Sequence, residues 1–302
     1  MRGVRLRLPA TSANLGPGFD ALAVALELYL EIEAEAAAEF SIGATGRNAD
    51  VCGALEGNLL LETYGNGLAG QGKSVKPLAI RMRNRIPLGM GCGSSAAVRL
   101  AGLALAAHFG ELGWDGERIL TEAARLEGHP DNVAACWLGG FAASAWNEGE
   151  ERVRAVSLRL PEAWRAVLVI PARPLATTVS RAVLPDRYGR GEVVENLQNT
   201  ALLTAALASG RGDLVAAAMR DRLHQPYRAK ECPLLPGLLP LAGRDGVLGV
   251  ALSGAGPGVL LLAESEAAAG ETARRARAVV GSEAGVEVLV CGLERGAAVW
   301  QE

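Results

Sequence analysis

The sequence predicts an α+β protein of two closely joined lobes, and three observations carry that prediction. Segments that alternate apolar and charged side chains are interspersed with Ala- and Leu-rich stretches of helical length. A charged, turn-rich stretch at residues 147–152 divides the chain near its middle, giving expected domains of 1–150 and 151–302. No uninterrupted apolar run approaches the ~20 residues a bilayer crossing needs. With 302 residues, half of them hydrophobic, the chain can bury a sizeable core and is too apolar for disorder.

Taken in order, residues 4–8, 26–35 and 79–84 alternate as strands with one wet face do. Residues 96–109 change to an Ala/Leu-rich helical pattern, and a second helix is expected over 116–127, stopped by Gly128. Beyond the midpoint come a strand at 165–170, a helix at 193–208, a glycine-punctuated strand pair at 247–262, a helix at 266–280 and a strand at 286–291. Half-polar strands mixed with helices imply helices packed over one side of the sheets.

Thirty basic against thirty-three acidic residues give a formal charge of −3, so no global field recruits nucleic acid or an anionic membrane. Five cysteines without a C-x-x-C pair argue against a zinc site or disulfide scaffold and fit reduced thiols in a cytoplasm. Asp20 and Glu27 interrupt the apolar stretch after the basic N-terminus, so no secretory leader is expected.

The most informative stretch is 85–98, RIPLGMGCGSSAAV, joining an expected strand to an expected helix. Gly89, Gly91 and Gly93 free the backbone of Cβ atoms, so successive N–H groups can close around an anion. Ser94 and Ser95 then stand where unpaired amides and the helix dipole favour phosphate. The same residues could instead form a plain turn with Ser94 as N-cap. A Walker A loop is excluded by the missing lysine, and a dinucleotide loop by the ninety residues that precede this one.

PLGMGCGSSAA, from Pro87 through Cys92 and Ala96 to Ala97, resembles the Pro-x-x-x-Gly-Leu-Gly-Ser-Ser-Ala-Ala signature of the GHMP kinases, with Cys92 replacing the usual leucine. Residues 9–20 (PATSANLGPGFD) resemble that family's N-terminal substrate motif, and 252–257 (LSGAGP), with Gly254, its C-terminal glycine loop. The resemblance implies a ribosomal-protein-S5-like N-terminal domain, a ferredoxin-like α/β C-terminal domain, an active site between them, ATP with Mg2+, and a homodimer.

Phosphoryl transfer needs amides, a cation and alignment more than a strong base. Ser95 offers a hydroxyl for magnesium, and the resemblance makes Glu127 the matching carboxylate. Residues 128–132 (GHPDN) resemble the homoserine-phosphorylating branch, in which the asparagine holds the acceptor hydroxyl without deprotonating it, implying that role for Asn132. A carboxylate calls for arginine, whose planar fork matches two oxygens. Residues 177–181 (TTVSR) and 223–228 (LHQPYR) match the same branch, implying Arg181 and Arg228 on the carboxylate of L-homoserine with Thr177 nearby. Asn14, Asp20, His129 and Asp131 remain for its ammonium and hydroxyl, with the two aspartates undivided between those roles. Asn58 resembles the family's residue before a helix bordering the adenine, and is equally readable as an N-cap. The competing readings are a kinase of mevalonate-like or isoprenoid alcohols and a ligand sensor without catalysis.

Overall fold

The computed structural model describes residues 3–281 and 285–301. The chain runs β1 (Val4–Ala13), β2 (Leu22–Ala36), β3 (Ser41–Gly46), α1 (Ala49–Gly53), α2 (Leu59–Ala69), β4 (Leu78–Asn84), α3 (Ser94–Phe109), α4 (Gly116–Glu127), α5 (Asp131–Leu138), β5 (Phe141–Asn147) and β6 (Arg152–Leu158). It continues through β7 (Arg165–Ile170), α6 (Thr177–Ala182), α7 (Arg190–Ala208), α8 (Gly212–Ala218), α9 (Gln225–Arg228), α10 (Leu234–Leu238), β8 (Val247–Leu252), β9 (Val259–Ala263), α11 (Glu266–Val280), β10 (Glu287–Gly292) and β11 (Val299–Gln301). Among the described residues no helix is long and apolar enough to cross a membrane.

The first sheet is ordered β11-β1-β2-β4-β3, with β5 on β2 and β6 on β5. Its neighbours are antiparallel except β3 and β4, which run parallel. Alternation does what the sequence predicts: on β1, Leu6 and Leu8 are buried while Arg5 and Arg7 face out. The wet face is a ladder in which Arg5 and Arg81 flank Glu33, and Arg7 and Arg83 flank Glu31. The apolar face packs against α2, α3 and α5 through residues such as Leu60, Tyr64, Leu100 and Phe109. Each fully buried leucine there contributes roughly 1.5–3 kcal/mol.

The second sheet, β10-β7-β9-β8, is antiparallel throughout. Here the expectation of one covered face fails. Val167 and Val169 pack with α10 and α11 on one side, while Leu168 and Ile170 join Leu203, Leu207 and the first lobe's core on the other. Both faces being dry, β7 and β9 carry continuous apolar runs instead of alternation.

The charged stretch at 147–152 is the turn of the β5–β6 hairpin, so by strand pairing the chain leaves the first sheet after Leu158. It returns to that sheet at its end, where Gln301 pairs with Arg5.

Candidate active site

Three loops and two helix starts converge where the lobes meet. The phosphate-loop candidate runs from β4 to α3 with Gly89, Gly91 and Gly93 at φ of 70°, 74° and 67°. All three lie in the left-handed region that glycine enters without strain. A Cβ on Gly91 would lie 1.9 Å from the Ser253 carbonyl oxygen, so the second lobe presses directly on this loop. Helix α3 starts two residues before the expected position, at Ser94, and Gly93 rather than Ser94 is its N-cap. No side chain caps the helix, which leaves its first amides directed at the cavity in front of it.

Glu127 ends α4, which Gly128 stops at φ 80° as the sequence predicts. Its Oε1 accepts from Ser95 Oγ at 2.5 Å and from Arg99 Nε at 2.6 Å, a cation the sequence reading missed. The polar turn after Gly128 is shorter than expected, because Asp131 and Asn132 already open helix α5. Asp131 is 1% exposed, and its Oδ1 takes the Asn132 N–H at 2.6 Å, Asn132 Nδ2 at 3.2 Å and His129 Nδ1 at 2.5 Å. Burial alone would depress His129, but the bond to Asp131 and the charges of Asp131 and Asp20 outweigh it and raise the imidazole above its ordinary pKa.

From the end of β1, Asn14 (φ 70°) and Leu15 (φ 48°) fold the chain into a tight loop that carries Asp20. Asn14 Oδ1 accepts the Asp20 N–H at 3.0 Å and its Nδ2 donates to Gly254 O at 2.8 Å, spanning the two lobes. Asp20 receives both prongs of Arg181, at 2.7 and 3.0 Å. The second arginine, Arg228, is buried, with Nε on Ser180 O at 3.1 Å and Nη1 on His224 Nδ1 at 3.2 Å. Both guanidinium groups stand over the Phe19 ring, at 5.5 and 5.2 Å from its centroid. Burial, then the nearby Arg181 charge, push Arg228 below its ordinary pKa, an electrostatic setting that an anion would relieve.

One cavity gathers these groups. Its lining includes Asn14, Asp20, Gly89, Gly91, Cys92, Gly93, Ser94, Ser95, Ala96, Glu127, His129, Asp131, Asn132, Arg181, Arg228 and Gly254, joined by Leu175, Ala255 and Gly256. Its volume of about 130 Å³ suits a small acceptor meeting the tip of a longer ligand. Three expected residues lie outside that lining. Pro87 is buried ahead of the loop. Asn58 is an N-cap, accepting from Leu60 and Leu61 N–H while its Nδ2 holds Cys52 O and Ala54 O. Thr177 opens α6, and its side chain lies outside the described residues.

A glycine cradle at an uncapped helix, a hydroxyl–carboxylate pair and converging cations define a phosphotransferase of small molecules. Models of the GHMP kinases N terminal domain and the GHMP kinases C terminal domain match residues 51–140 and 203–281. A homoserine kinase from Solibacter usitatus is 48% identical over 86% of this chain and 84% of its own length. One from Thermus thermophilus is 43% identical over 91% of this chain and 90% of its own. The crystal structure of a homoserine kinase from Cytophaga hutchinsonii has the same fold, with a TM-score of 0.83 at 24% identity, covering 100% of this chain and 98% of that one. The chain belongs to the GHMP kinase family.

Proposed function

We propose that this enzyme phosphorylates the side-chain hydroxyl of L-homoserine with ATP, giving O-phospho-L-homoserine, a step of threonine biosynthesis. The observation that carries the reading is that Arg181 and Arg228 line the same cavity as the glycine loop and the start of α3. The close relatives bearing that activity support the choice of acceptor.

The amides from Gly89 to Ser95 hold the phosphate chain, for which the loop is built: a Cβ on Gly93 would lie 1.8 Å from Thr11 Oγ1 and crowd the cradle. Ser95 and Glu127 offer adjoining hard oxygens of the kind Mg2+ takes, and they would hold it. When bound, the ion would supply positive charge to offset that of the phosphates. Arg228 and Arg181 clamp the carboxylate. Asp131 is buried and already shares its Oδ1 with His129 and Asn132, whereas Asp20 is 30% exposed, so Asp20 is the better partner for the ammonium, and substrate entry exchanges the Asp20–Arg181 pair for one contact at each end of the zwitterion. Asn132 orients the hydroxyl. Its oxygen bonds to the γ-phosphorus as the bond to the β–γ bridging oxygen breaks; ADP departs, and the hydroxyl proton leaves late, to a phosphoryl oxygen or solvent. A homodimer and a cytoplasmic location belong to the same reading.

An ADP-release assay with magnesium-ATP over homoserine, serine, threonine, mevalonate and galactose tests it. Homoserine should support the highest kcat/KM. A larger value for mevalonate or galactose would assign a different acceptor, and binding without turnover would make the chain a sensor.

A further inference from the structure

Asn132 is itself held in place, and the residue holding it is one that the motif assignments leave without a role. Thr11, on β1, is fully buried. Its Oγ1 donates to Asn132 Oδ1 at 2.6 Å, and its N–H donates to Cys92 O at 3.1 Å. One residue therefore touches both the phosphate loop and the amide that faces the acceptor. The far end of that amide is fixed as well, because Asn132 Nδ2 donates to the buried Asp131 carboxylate. With a donor at one end and an acceptor at the other, a flipped amide would set its oxygen against the carboxylate. Held this way, Asn132 keeps one oxygen lone pair and one N–H for the substrate hydroxyl. Gly93 completes the arrangement: a Cβ there would lie 3.1 Å from Asn132 Oδ1 and far inside contact distance of the Thr11 hydroxyl.

We propose that Thr11 is a positioning residue for the transfer, its hydroxyl fixing the Asn132 amide and its backbone tying that amide to the phosphate loop. The attacking oxygen and the γ-phosphorus thereby keep one register. This rests on the phosphotransfer reading above. A merely structural threonine would lose stability on substitution and leave turnover alone.

The experiment compares Thr11→Val, which swaps the hydroxyl for a methyl of similar volume, with Thr11→Ser, which keeps it; Thr11→Ala replaces the valine variant if that one does not fold. The valine variant should lose about 10- to 100-fold in kcat, the scale of an ångström-sized misplacement, with KM for ATP and homoserine within about threefold. It should also release more ADP per phosphorylated product, a coupling ratio that fold stability does not change. The serine variant should recover kcat to within about threefold. In an Asn132→Ala background, Thr11→Val should add little, since both act through one amide. Normal kcat and coupling in Thr11→Val beside a defective Asn132→Ala overturns the proposal alone, as does a full extra loss in the double variant. No acceptor-dependent turnover in the unsubstituted enzyme overturns the phosphotransfer reading with it.

Discussion

Of the chain's three histidines, two lie against the charged groups of the cavity, and their surroundings push them in opposite directions. His129 is raised, for the reasons given above. His224 is fully buried, donates Nε2–H to Gly16 O at 2.8 Å, and so presents a bare Nδ1 to Arg228. Burial pulls its pKa down; Arg228 pulls the same way, while Asp221 and Asp20 oppose without prevailing. Resolved by imidazole NMR, His129 should titrate above the ordinary ~6.5 and His224 below it. Asp131→Asn should drop His129 beneath that value, because burial then acts with less opposition; an unmoved His129 would show that Asp131 is not the cause. For stability the signs differ. The contribution of His129 is full below its unfolded pKa and fades as pH rises through the folded value. That of His224 is full above the unfolded pKa and fades as pH falls through the folded value, so together they favour pH near ~6.5. None of this coupling is legible locally: motifs identified Arg181 and Arg228, but the partner of Arg181 is Asp20, 161 residues away.

At the scale of elements, periodicity sufficed wherever one face is wet and the other dry. It read β1, β2, β4, α3 and α4 to within a few residues, with the full length of β1 and β2 underestimated because their site-facing ends are buried on both sides. It missed α5, a short helix whose opening residues read as a polar turn, and the short elements α8 to α10. The glycine loop was legible as chemistry, yet why three glycines stand there was not, since the answers lie far along the chain: Pro174 and Ser253 for Gly89 and Gly91, Thr11 and Asn132 for Gly93. Gly91 faces the Ser253 carbonyl at a distance that excludes any Cβ, whereas Gly72, at the similar φ of 68°, has nothing within 4 Å. Gly72→Ala should therefore show the left-handed strain alone, on the order of 1 kcal/mol, with KM for ATP unchanged. Gly91→Ala adds a displaced loop, so its melting temperature should fall further and its KM for ATP rise at least about tenfold, a loss of phosphate contacts rather than of fold. Equal behaviour of the two variants would mean that the contact between lobes does not shape the cradle.

For the whole molecule, the charged stretch that suggested a division at 150 is a hairpin turn, and both sheets share one apolar core across the join. Composition marks exposed turns well, but it carries no information about which sheet the next strand enters. What fixes the lobes beside the cavity is polar and depends on the turn that begins at Ser253. Ser253 Oγ donates to Gly91 O at 2.7 Å, Asn14 Nδ2 to Gly254 O at 2.8 Å, and Gly254 N–H to Ala13 O at 3.1 Å. Ser253→Ala and Asn14→Ala should each cost about 1–3 kcal/mol, because each leaves a carbonyl of the other lobe with one bond fewer, and Asn14→Ala also removes the acceptor of the Asp20 N–H. Both bonds restrain the same turn, so once one is gone the turn has already relaxed and the other restrains less. The double variant should accordingly lose less than the sum of the singles, by at least about 0.5 kcal/mol in denaturant unfolding. Losses that add within about 0.3 kcal/mol would mean that the two bonds act independently and that the turn is not a common latch. The latch bears on the cavity because Gly254 lines it and packs directly on Gly91 of the glycine loop, so loosening the turn should let that loop shift relative to the second lobe.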